Sequence, residues 1–363
     1  MIRIIKPYLK YRNVNRKFKK IFKTGFFTKG EYVDQFQNDL CNYIGCKHAF
    51  LTTSATTALS LSLEIINIKP GDEVIVSDFS YPASANVIEN IGAIPIFVDV
   101  DLETYNMCPK DLLSKITSKT KAVMFVDALG NPSNIHSIKA ICKKNNIILI
   151  EDAACALGSS EFGVKNGNIA DLTCFSFHPR KLLTTGEGGA ITTNNKKYSD
   201  LLKVKLNHGA IYKNNKFDFI QPGYNYRMTE FQSVMGIESL TKLDKVIQSR
   251  IKIKEKYIKL LSPLGFTPQK LQNEAYHNIQ SVIFKVPELI KRDDLILFLK
   301  KHNIESTLGT YCLSNTTYYK TKYNKVQSNA LYLEQNTITL PCYEGVNVKK
   351  IVKKIEKFIL NNI

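Results

Sequence analysis

Short apolar runs rich in β-branched residues alternate with helical patterns between about residues 50 and 195. The strand-like runs lie at residues 74–76, 94–98, 122–126 and 147–150, and helix-length segments lie between them at residues 109–116 and 135–145. This alternation predicts an α/β fold with a mostly parallel sheet covered on both faces. Ligands gather beyond the carboxyl ends of such strands, so the loops after residues 76, 126 and 150 are where a site is expected.

Beyond residue 229 the pattern is largely helical. Thr229 and Gln232 have the spacing of a capping box, and an apolar stripe predicts a helix over residues 229–247. A basic helical segment follows at residues 250–261. The last apolar face predicts an amphipathic helix and consists of Val348, Ile351, Val352, Ile355, Phe358 and Ile359. We therefore expect a large domain with an N-terminal arm at residues 1–250 and a smaller domain at residues 251–363.

The composition indicates a globular protein without a membrane span. The chain has 363 residues, and none of its apolar runs approaches the length that crosses a bilayer. The first ten residues lack an apolar stretch of signal-peptide length, so we expect a cytoplasmic protein. The eight cysteines are scattered without a CxxC pair, which argues against zinc and against a disulfide framework. We expect reduced cysteines and no metal.

The net charge of +18 raises the question of an anionic partner such as nucleic acid, a membrane surface or a phosphorylated substrate. The densest basic stretch, residues 12–23, has no aromatic stacking pattern beyond Phe18 and Phe22. The chain is rich in lysine throughout, so composition explains most of the charge. We expect neither nucleic acid nor membrane as a partner, and a modest contribution from an anionic small molecule.

The strongest candidate for chemistry is a lysine paired with an acid. Lys181 follows the strand-like residues 173–177 and precedes the tight turn at residues 184–189, whose glycines let the backbone approach a ligand. Asp152 ends an apolar strand, where a buried carboxylate needs a partner. A lysine that forms a Schiff base and an acid facing a pyridine nitrogen together point to pyridoxal 5'-phosphate (PLP). The alternatives are a solvated surface lysine and a helix N-cap aspartate.

A second candidate for ligand binding begins at residues 53–59, which have small and hydroxyl-bearing side chains. The leucines that follow alternate as in a strand, but the segment's length and the stop at Pro70 and Gly71 favour a helix. A helix N-terminus binds phosphate, although ordinary N-caps have the same composition. Tyr81, just after a strand, could stack on a flat cofactor or simply pack. Ser176 could add a hydroxyl to a phosphate.

These motifs resemble the DegT/DnrJ/EryC1/StrS family of PLP-dependent nucleotide-sugar aminotransferases, in the family's order and across nearly the whole chain. The matching stretches are residues 70–76, 83–86, 92–101, 130–132, 151–154, 175–189, 207–209, 225–230 and 340–343. The resemblance implies the aspartate-aminotransferase-like PLP fold (fold type I), with a large α/β domain and a smaller C-terminal α+β domain.

The resemblance also implies a role for each matching residue. Lys181 matches the lysine that binds PLP covalently and then moves protons, and Asp152 matches the partner of the pyridine nitrogen. Tyr81 matches the ring stacked on the cofactor. Thr56, Ser176 and the amide of Ala55 match residues that bind the cofactor's phosphate. Asn225 matches a residue that reaches the phosphate of the other subunit's cofactor, which implies a homodimer with shared active sites. Matches to the region near the nucleotide sugar are Tyr276, His277 and Tyr311.

The chain departs from the family pattern at three places. Ala55 stands where many members have glycine, which adds one methyl group beside the phosphate site. Cys155 stands where many have glutamine, whose amide contacts the cofactor's phenolic oxygen; a thiol is a weaker donor. Residues 314–317 replace a histidine-containing stretch.

The expected activity is transfer of an amino group from an amino acid, glutamate by resemblance, to a nucleotide-linked keto sugar for surface-glycan biosynthesis. Four alternatives remain. An aminotransferase acting on a cyclitol or other small keto substrate fits the same residues. A PLP sugar dehydratase of this family has histidine in place of the lysine, and Lys181 argues against it. A non-catalytic regulator with this fold would not need Lys181 and Asp152. A basic nucleic-acid-binding protein is the most distant alternative, because no recognition motif is found.

Overall fold

The computed structural model describes residues 1–272 and 274–362. The helices are α1 Tyr11–Thr24, α2 Glu31–Ile44, α3 Ala55–Ile65, α4 Ala83–Asn90, α5 Pro109–Lys115, α6 Ile135–Lys144, α7 Lys196–Lys205, α8 Glu230–Leu240, α9 Leu243–Leu261, α10 Arg292–Lys301, α11 Thr317–Tyr323, α12 Ser328–Asn336 and α13 Val348–Asn362. The strands are β1 His48–Thr52, β2 Glu73–Ser77, β3 Phe79–Ser80, β4 Ile94–Val98, β5 Thr120–Val126, β6 Ile148–Asp152, β7 Ser160–Glu161, β8 Val164–Lys165, β9 Leu172–Ser176, β10 Gly189–Thr193, β11 Ala210–Lys213, β12 Lys216–Phe219, β13 Thr267–Pro268, β14 Ala275–Tyr276, β15 Val282–Lys285, β16 Thr307–Leu308, β17 Tyr311–Cys312 and β18 Thr337–Leu340.

The large part of the molecule is built on a seven-stranded sheet in the order β1-β10-β9-β6-β5-β2-β4. Strands β4, β2, β5, β6 and β9 are parallel, and only β10 runs antiparallel to its neighbours β9 and β1. Apolar residues fill both faces of the sheet, as expected where helices cover both sides. The predicted mostly parallel α/β fold is confirmed, with each predicted strand present to within a few residues.

The ambiguous segment after residue 53 is a helix, α3. Its start is fixed by a capping box, in which the Ser54 hydroxyl accepts a hydrogen bond from the Thr57 amide. The alternating leucines Leu59, Leu61 and Leu63 are all buried, because α3 packs against β9, β10 and α4 and is enclosed on most sides. A helix buried nearly all round does not show a clean period of 3.6 in its sequence.

The prediction of one helix over residues 229–247 is wrong. The capping box at Thr229 and Gln232 is present, but α8 ends at Leu240 and α9 begins at Leu243. The Thr241 hydroxyl donates to the carbonyl of Glu238, a local bond that competes with the helical ladder. Asp244 lies in the first turn of α9, where a negative charge favours a new helix start.

The C-terminal part has its own sheet and core. The sheet has the order β13-β15-β18-β16 and is fully antiparallel where paired. The predicted apolar face of α13 packs into a core with α9, α10 and this sheet. The division at residues 250 and 251 stays a prediction, and it falls within the continuous helix α9. Two short antiparallel pairings, β14 with β7 and β17 with β3, join the C-terminal part to short strands of the large part that lie outside the seven-stranded sheet.

All eight cysteines are free, and Cys142 and Cys174 are buried. Across residues 1–272 and 274–362, no helix combines the length and the apolar character that a membrane crossing requires.

Candidate active site

A cavity of about 360 Å³ opens beyond the carboxyl ends of β5, β6 and β9. All three loops that the sequence indicated, after residues 76, 126 and 150, contribute lining residues, and the start of α3 closes one side. Seven of the predicted site residues line it: Ala55, Thr56, Tyr81, Asp152, Cys155, Ser176 and Lys181. Chain positions between 55 and 181 therefore meet in one place, although they are carried by a helix and several separate strands.

Asp152 is the buried acid of the cavity and ends strand β6. Its Oδ2 accepts a hydrogen bond of 2.7 Å from the Ser84 hydroxyl, and its Oδ1 accepts one of 3.2 Å from the Ala154 amide. Burial raises the pKa of Asp152, while these two donors and the positive charge of Lys181 lower it. A carboxylate in this setting is stabilised by a cationic partner in the cavity.

Lys181 lies in the turn that follows β9. Its backbone amide donates to the carbonyl of His178 at 2.8 Å, which tightens the turn. Its Nζ lies 3.0 Å from the Sγ of Cys155. The Cys155 thiol therefore faces the lysine amine, and both groups are in the cavity. An amine held at the wall of a cavity is placed to attack a carbonyl group.

The first turn of α3 provides an anion-binding end. The first amide to donate within the helix is that of Ala58, to the carbonyl of Ser54, so the earlier amides of Ala55 and Thr56 have no acceptor within the helix. Gly189 at the start of β10 lies against this turn: a Cβ there would be 2.5 Å from the carbonyl carbon of Ser54 and 2.7 Å from the Ala55 nitrogen. Only glycine permits this approach. The turn can hold a phosphate with its dipole and free amides.

Tyr81 projects at the mouth of the cavity, with 69% of its surface exposed. Its ring lies 6.3 Å from that of Tyr311, edge to face. Tyr311 reaches this position because β17 pairs with β3, which places Tyr311 opposite Ser80. Tyr311 is therefore beside the cavity's edge, although it does not line the cavity itself.

The other predicted residues lie outside this cavity. Tyr276 is in β14, where its hydroxyl accepts a hydrogen bond of 3.0 Å from Gln248. His277 is buried behind the cavity wall, with Nε2 3.1 Å from the carbonyl of Leu129. Burial, helped by the charges of Lys254 and Arg250, lowers the pKa of His277 to about 3, so its ring is neutral. Asn225 is exposed in the segment without helix or strand before α8.

Sequence reasoning missed a pair of buried acids next to Asp152, namely Asp127 and Glu151. The Asn166 amide donates to Asp127 Oδ1 at 2.8 Å and to Glu151 Oε1 at 2.6 Å. Burial raises the pKa of both carboxyls, and the negative charge of Glu151 raises that of Asp127 further. Thr173 also donates to Glu151, whereas Asp127 Oδ2 has no partner among the described residues. Burial and the charge of Glu151 therefore favour the protonated form of Asp127. The sequence signal that could have identified Asp127 is its position directly after the predicted strand at residues 122–126.

The fold and the cavity fit a PLP-dependent aminotransferase. The chain belongs to the DegT/DnrJ/EryC1/StrS aminotransferase family, whose pattern it matches over residues 10–358. It is 32% identical over 339 residues to the GDP-perosamine synthase of Vibrio cholerae, covering 91% of this chain and 92% of that one. It is also 32% identical over 358 residues to the UDP-4-amino-4,6-dideoxy-N-acetyl-β-L-altrosamine transaminase of Campylobacter jejuni, covering 95% and 94%.

Solved structures agree in fold over the whole length. Helicobacter pylori PseC, an aminotransferase involved in the biosynthesis of pseudoaminic acid, superposes with a TM-score of 0.93 at 25% identity and 99% coverage of both chains. The putative sugar aminotransferase Spr1654 from Streptococcus pneumoniae, in its PMP form, gives a TM-score of 0.92 at 26% identity and the same coverage.

The residues of the cavity fit PLP. A buried carboxyl suits the protonated pyridine nitrogen, an amine suits the aldehyde, and a helix N-terminus against a glycine suits the phosphate. PLP is the cofactor of this family, and the cavity offers one group for each of its three polar ends.

Proposed function

We propose that the enzyme transfers an amino group from an amino acid, glutamate being the expected donor, to the keto carbon of a nucleotide-linked sugar. The products are the corresponding keto acid and amino sugar. The observation that carries the proposal is the shared cavity of Lys181 and Asp152, in a chain whose relatives include enzymes named for GDP- and UDP-linked amino sugars. We place this reaction in the cytoplasm, in the biosynthesis of a surface glycan.

Bound PLP supplies the electron sink for the reaction. Asp152 holds a proton on the pyridine nitrogen by keeping a negative charge beside it. The Nζ of Lys181 would accept the proton from the donor's α-carbon as a general base and, as a general acid, deliver it to the aldehyde carbon of the cofactor. Ala55, Thr56 and Ser176 bind the phosphate end.

A second subunit completes the proposed site. Asn225 is exposed and does not line its own chain's cavity, which is what a contact to the neighbouring subunit requires. The hairpin of β11 and β12, just before it, exposes the rings of Tyr212, Phe217 and Phe219 at 66%, 59% and 68%. An exposed apolar patch of this kind supports a protein partner, and we propose a second copy of the chain.

Three residues are predicted to contact the substrate: Tyr276, His277 and Tyr311. Tyr311 is the best placed of the three predicted residues, because its ring meets Tyr81 at the cavity's mouth. Tyr276 and His277 remain predictions. His277 would act on substrate only through the wall at Leu129, whose carbonyl it holds.

Running the reaction in reverse tests the substrate class. The purified enzyme with PLP and 2-oxoglutarate is given GDP-perosamine, the UDP-linked amino sugar or an amino cyclitol, and glutamate formation is measured. We expect glutamate from a nucleotide amino sugar and none from the cyclitol, with Lys181→Ala inactive throughout. Turnover of the cyclitol alone would favour the small-keto-substrate alternative. Loss of water from a keto sugar, without nitrogen transfer from labelled glutamate, would favour the dehydratase.

A further inference from the structure

One buried glutamine from the C-terminal part holds the backbone on both sides of Lys181. The Nε2 of Gln280 donates to the carbonyl of Arg180 at 2.7 Å, and its Oε1 accepts from the amide of Leu182 at 3.1 Å. Gln280 is only 8% exposed. Its side-chain amide thus satisfies one backbone acceptor and one backbone donor that flank the lysine.

Gln280 is itself held on its backbone. Its amide donates to Asn278 Oδ1 at 2.9 Å, and its carbonyl accepts from Nη2 of Arg250 at 2.7 Å. Asn278 also donates to the carbonyl of Cys155 at 2.8 Å. Residues 278–280 therefore fix the backbones of both Lys181 and Cys155, the two residues whose side chains meet at 3.0 Å.

This anchoring matters because the lysine lies in a loop without regular secondary structure. Residues 177–188 contain no helix or strand, and a lysine side chain has four rotatable bonds. The direction of Nζ therefore depends on how firmly the backbone at residues 180–182 is held. A displacement of about 1 Å at a reacting group can cost about 100-fold in rate.

We propose that Gln280 is a positioning residue for Lys181, which fixes the lysine's backbone from the C-terminal part of the chain so that Nζ points into the cofactor cavity. The role concerns the reaction of the lysine amine and holds whichever sugar the enzyme uses. It links the C-terminal part of the fold to the reacting group without a direct contact to cofactor or substrate.

The first test compares Gln280→Met with a matched control, Gln269→Met. Gln269 is also buried, and its Nε2 donates to the carbonyls of Thr104 and Ala128 instead of to residues 180–182. The readout is the rate at which PLP bonds covalently to Lys181 in cofactor-free protein, followed by absorbance, together with kcat and KM. Gln280→Met should slow both the bonding rate and kcat by about 10- to 100-fold and leave the KM for the amino donor unchanged. Gln269→Met should lower stability alone.

The second variant, Gln280→Glu, gives a pH signature. An ionised carboxyl accepts from Leu182 but cannot donate to the carbonyl of Arg180, whereas a protonated one does both. The bonding rate of Gln280→Glu relative to wild type should therefore rise as the pH falls. Equal slowing in the two methionine variants, or unchanged rates in Gln280→Met, would overturn the proposal. If Gln280→Met does not fold, the proposal is overturned when the bonding rate of Gln280→Glu, divided by that of wild type, does not change with pH.

Discussion

The Ser84 hydroxyl donates a hydrogen bond of 2.7 Å to Oδ2 of Asp152, and the Ser80 hydroxyl lies 2.8 Å from that of Ser84. Ser84 is in the first turn of α4 and Asp152 ends β6, so the contact joins two separate elements at the floor of the cavity. All three side chains are buried. The hydroxyl chain stabilises the ionised form of Asp152, which is the form that a protonated pyridine nitrogen needs.

Ser84→Ala should weaken catalysis by removing that donor. A hydrogen bond to a charged group is worth about 1.5–3 kcal/mol, and a loss of about 1.4 kcal/mol from the transition state lowers kcat tenfold. We expect a loss of about tenfold in kcat with the fold retained. Ser62→Ala is the control, since Ser62 is equally buried but donates within α3 to the carbonyl of Ala58. Equal activity in the two variants would contradict the role.

Asp152→Asn should bind PLP but lose most of its activity. The amide fills the same space, yet it no longer favours a proton on the pyridine nitrogen, so kcat should fall by about 100-fold or more. Steady-state kinetics and the absorbance of bound PLP measure the two effects separately. Asp152→Ala should also reduce stability, because the Ser84 hydroxyl loses its acceptor. Near-native turnover in Asp152→Asn would refute the assignment.

Asp127→Asn should become more stable relative to wild type as the pH rises. Burial and the charge of Glu151 raise the pKa of Asp127, so the folded protein keeps a proton that the unfolded chain releases above about pH 4. The stability that this proton contributes is complete below that pH and is lost as the pH rises towards the folded pKa. Asparagine keeps the acceptor for Asn166 and carries no proton to lose.

Thermal unfolding of cofactor-free protein from pH 5 to pH 9 checks this, with the difference between the variant and wild type plotted against pH. Its slope cannot exceed about 1.4 kcal/mol per pH unit for one proton. A flat difference would mean that Asp127 is ionised in the folded protein.

Local sequence patterns were enough to predict the strands, because each apolar run lies in one segment and is buried as one unit. The cavity could be located for the same reason, since strand ends in a parallel sheet share an edge. The break between α8 and α9 could not be read from the apolar stripe, because both helices keep their apolar side towards the same core.

The side-chain contacts that hold the active-site residues in place could not be predicted from local sequence patterns. Gln280 and Arg180 are 100 residues apart, and Asn166 and Asp127 are 39 apart. Polar side chains that bind distant backbone or carboxyl groups leave no periodic signal, since their partners are set by the tertiary fold. The same limit applies to His277, whose burial behind Leu129 depends on how β14 meets β7.

Asn225 should act across a two-fold interface. In a symmetric dimer one patch is used twice, so each site takes Asn225 from the other chain. Mixing a Lys181→Ala chain with an Asn225→Ala chain, after subunit exchange, should regenerate in each mixed dimer one site with both native residues. Activity above that of either parent supports sharing. If Asn225 only stabilises the turn before α8, mixing gives no gain and Asn225→Ala loses stability instead. A fully active monomer in sedimentation at low concentration would exclude a shared site.

The most direct measurement is borohydride reduction of the protein with bound PLP, followed by mass spectrometry of the peptides. We predict a yellow protein in which reduction attaches the cofactor to a single lysine, Lys181, at the amine that lies 3.0 Å from Cys155 Sγ. Lys181→Ala should bind PLP loosely, give no reduced adduct and fail to transfer nitrogen. A reduced adduct at any other lysine, or a protein that binds no PLP, would contradict the assignment of this cavity as the active site.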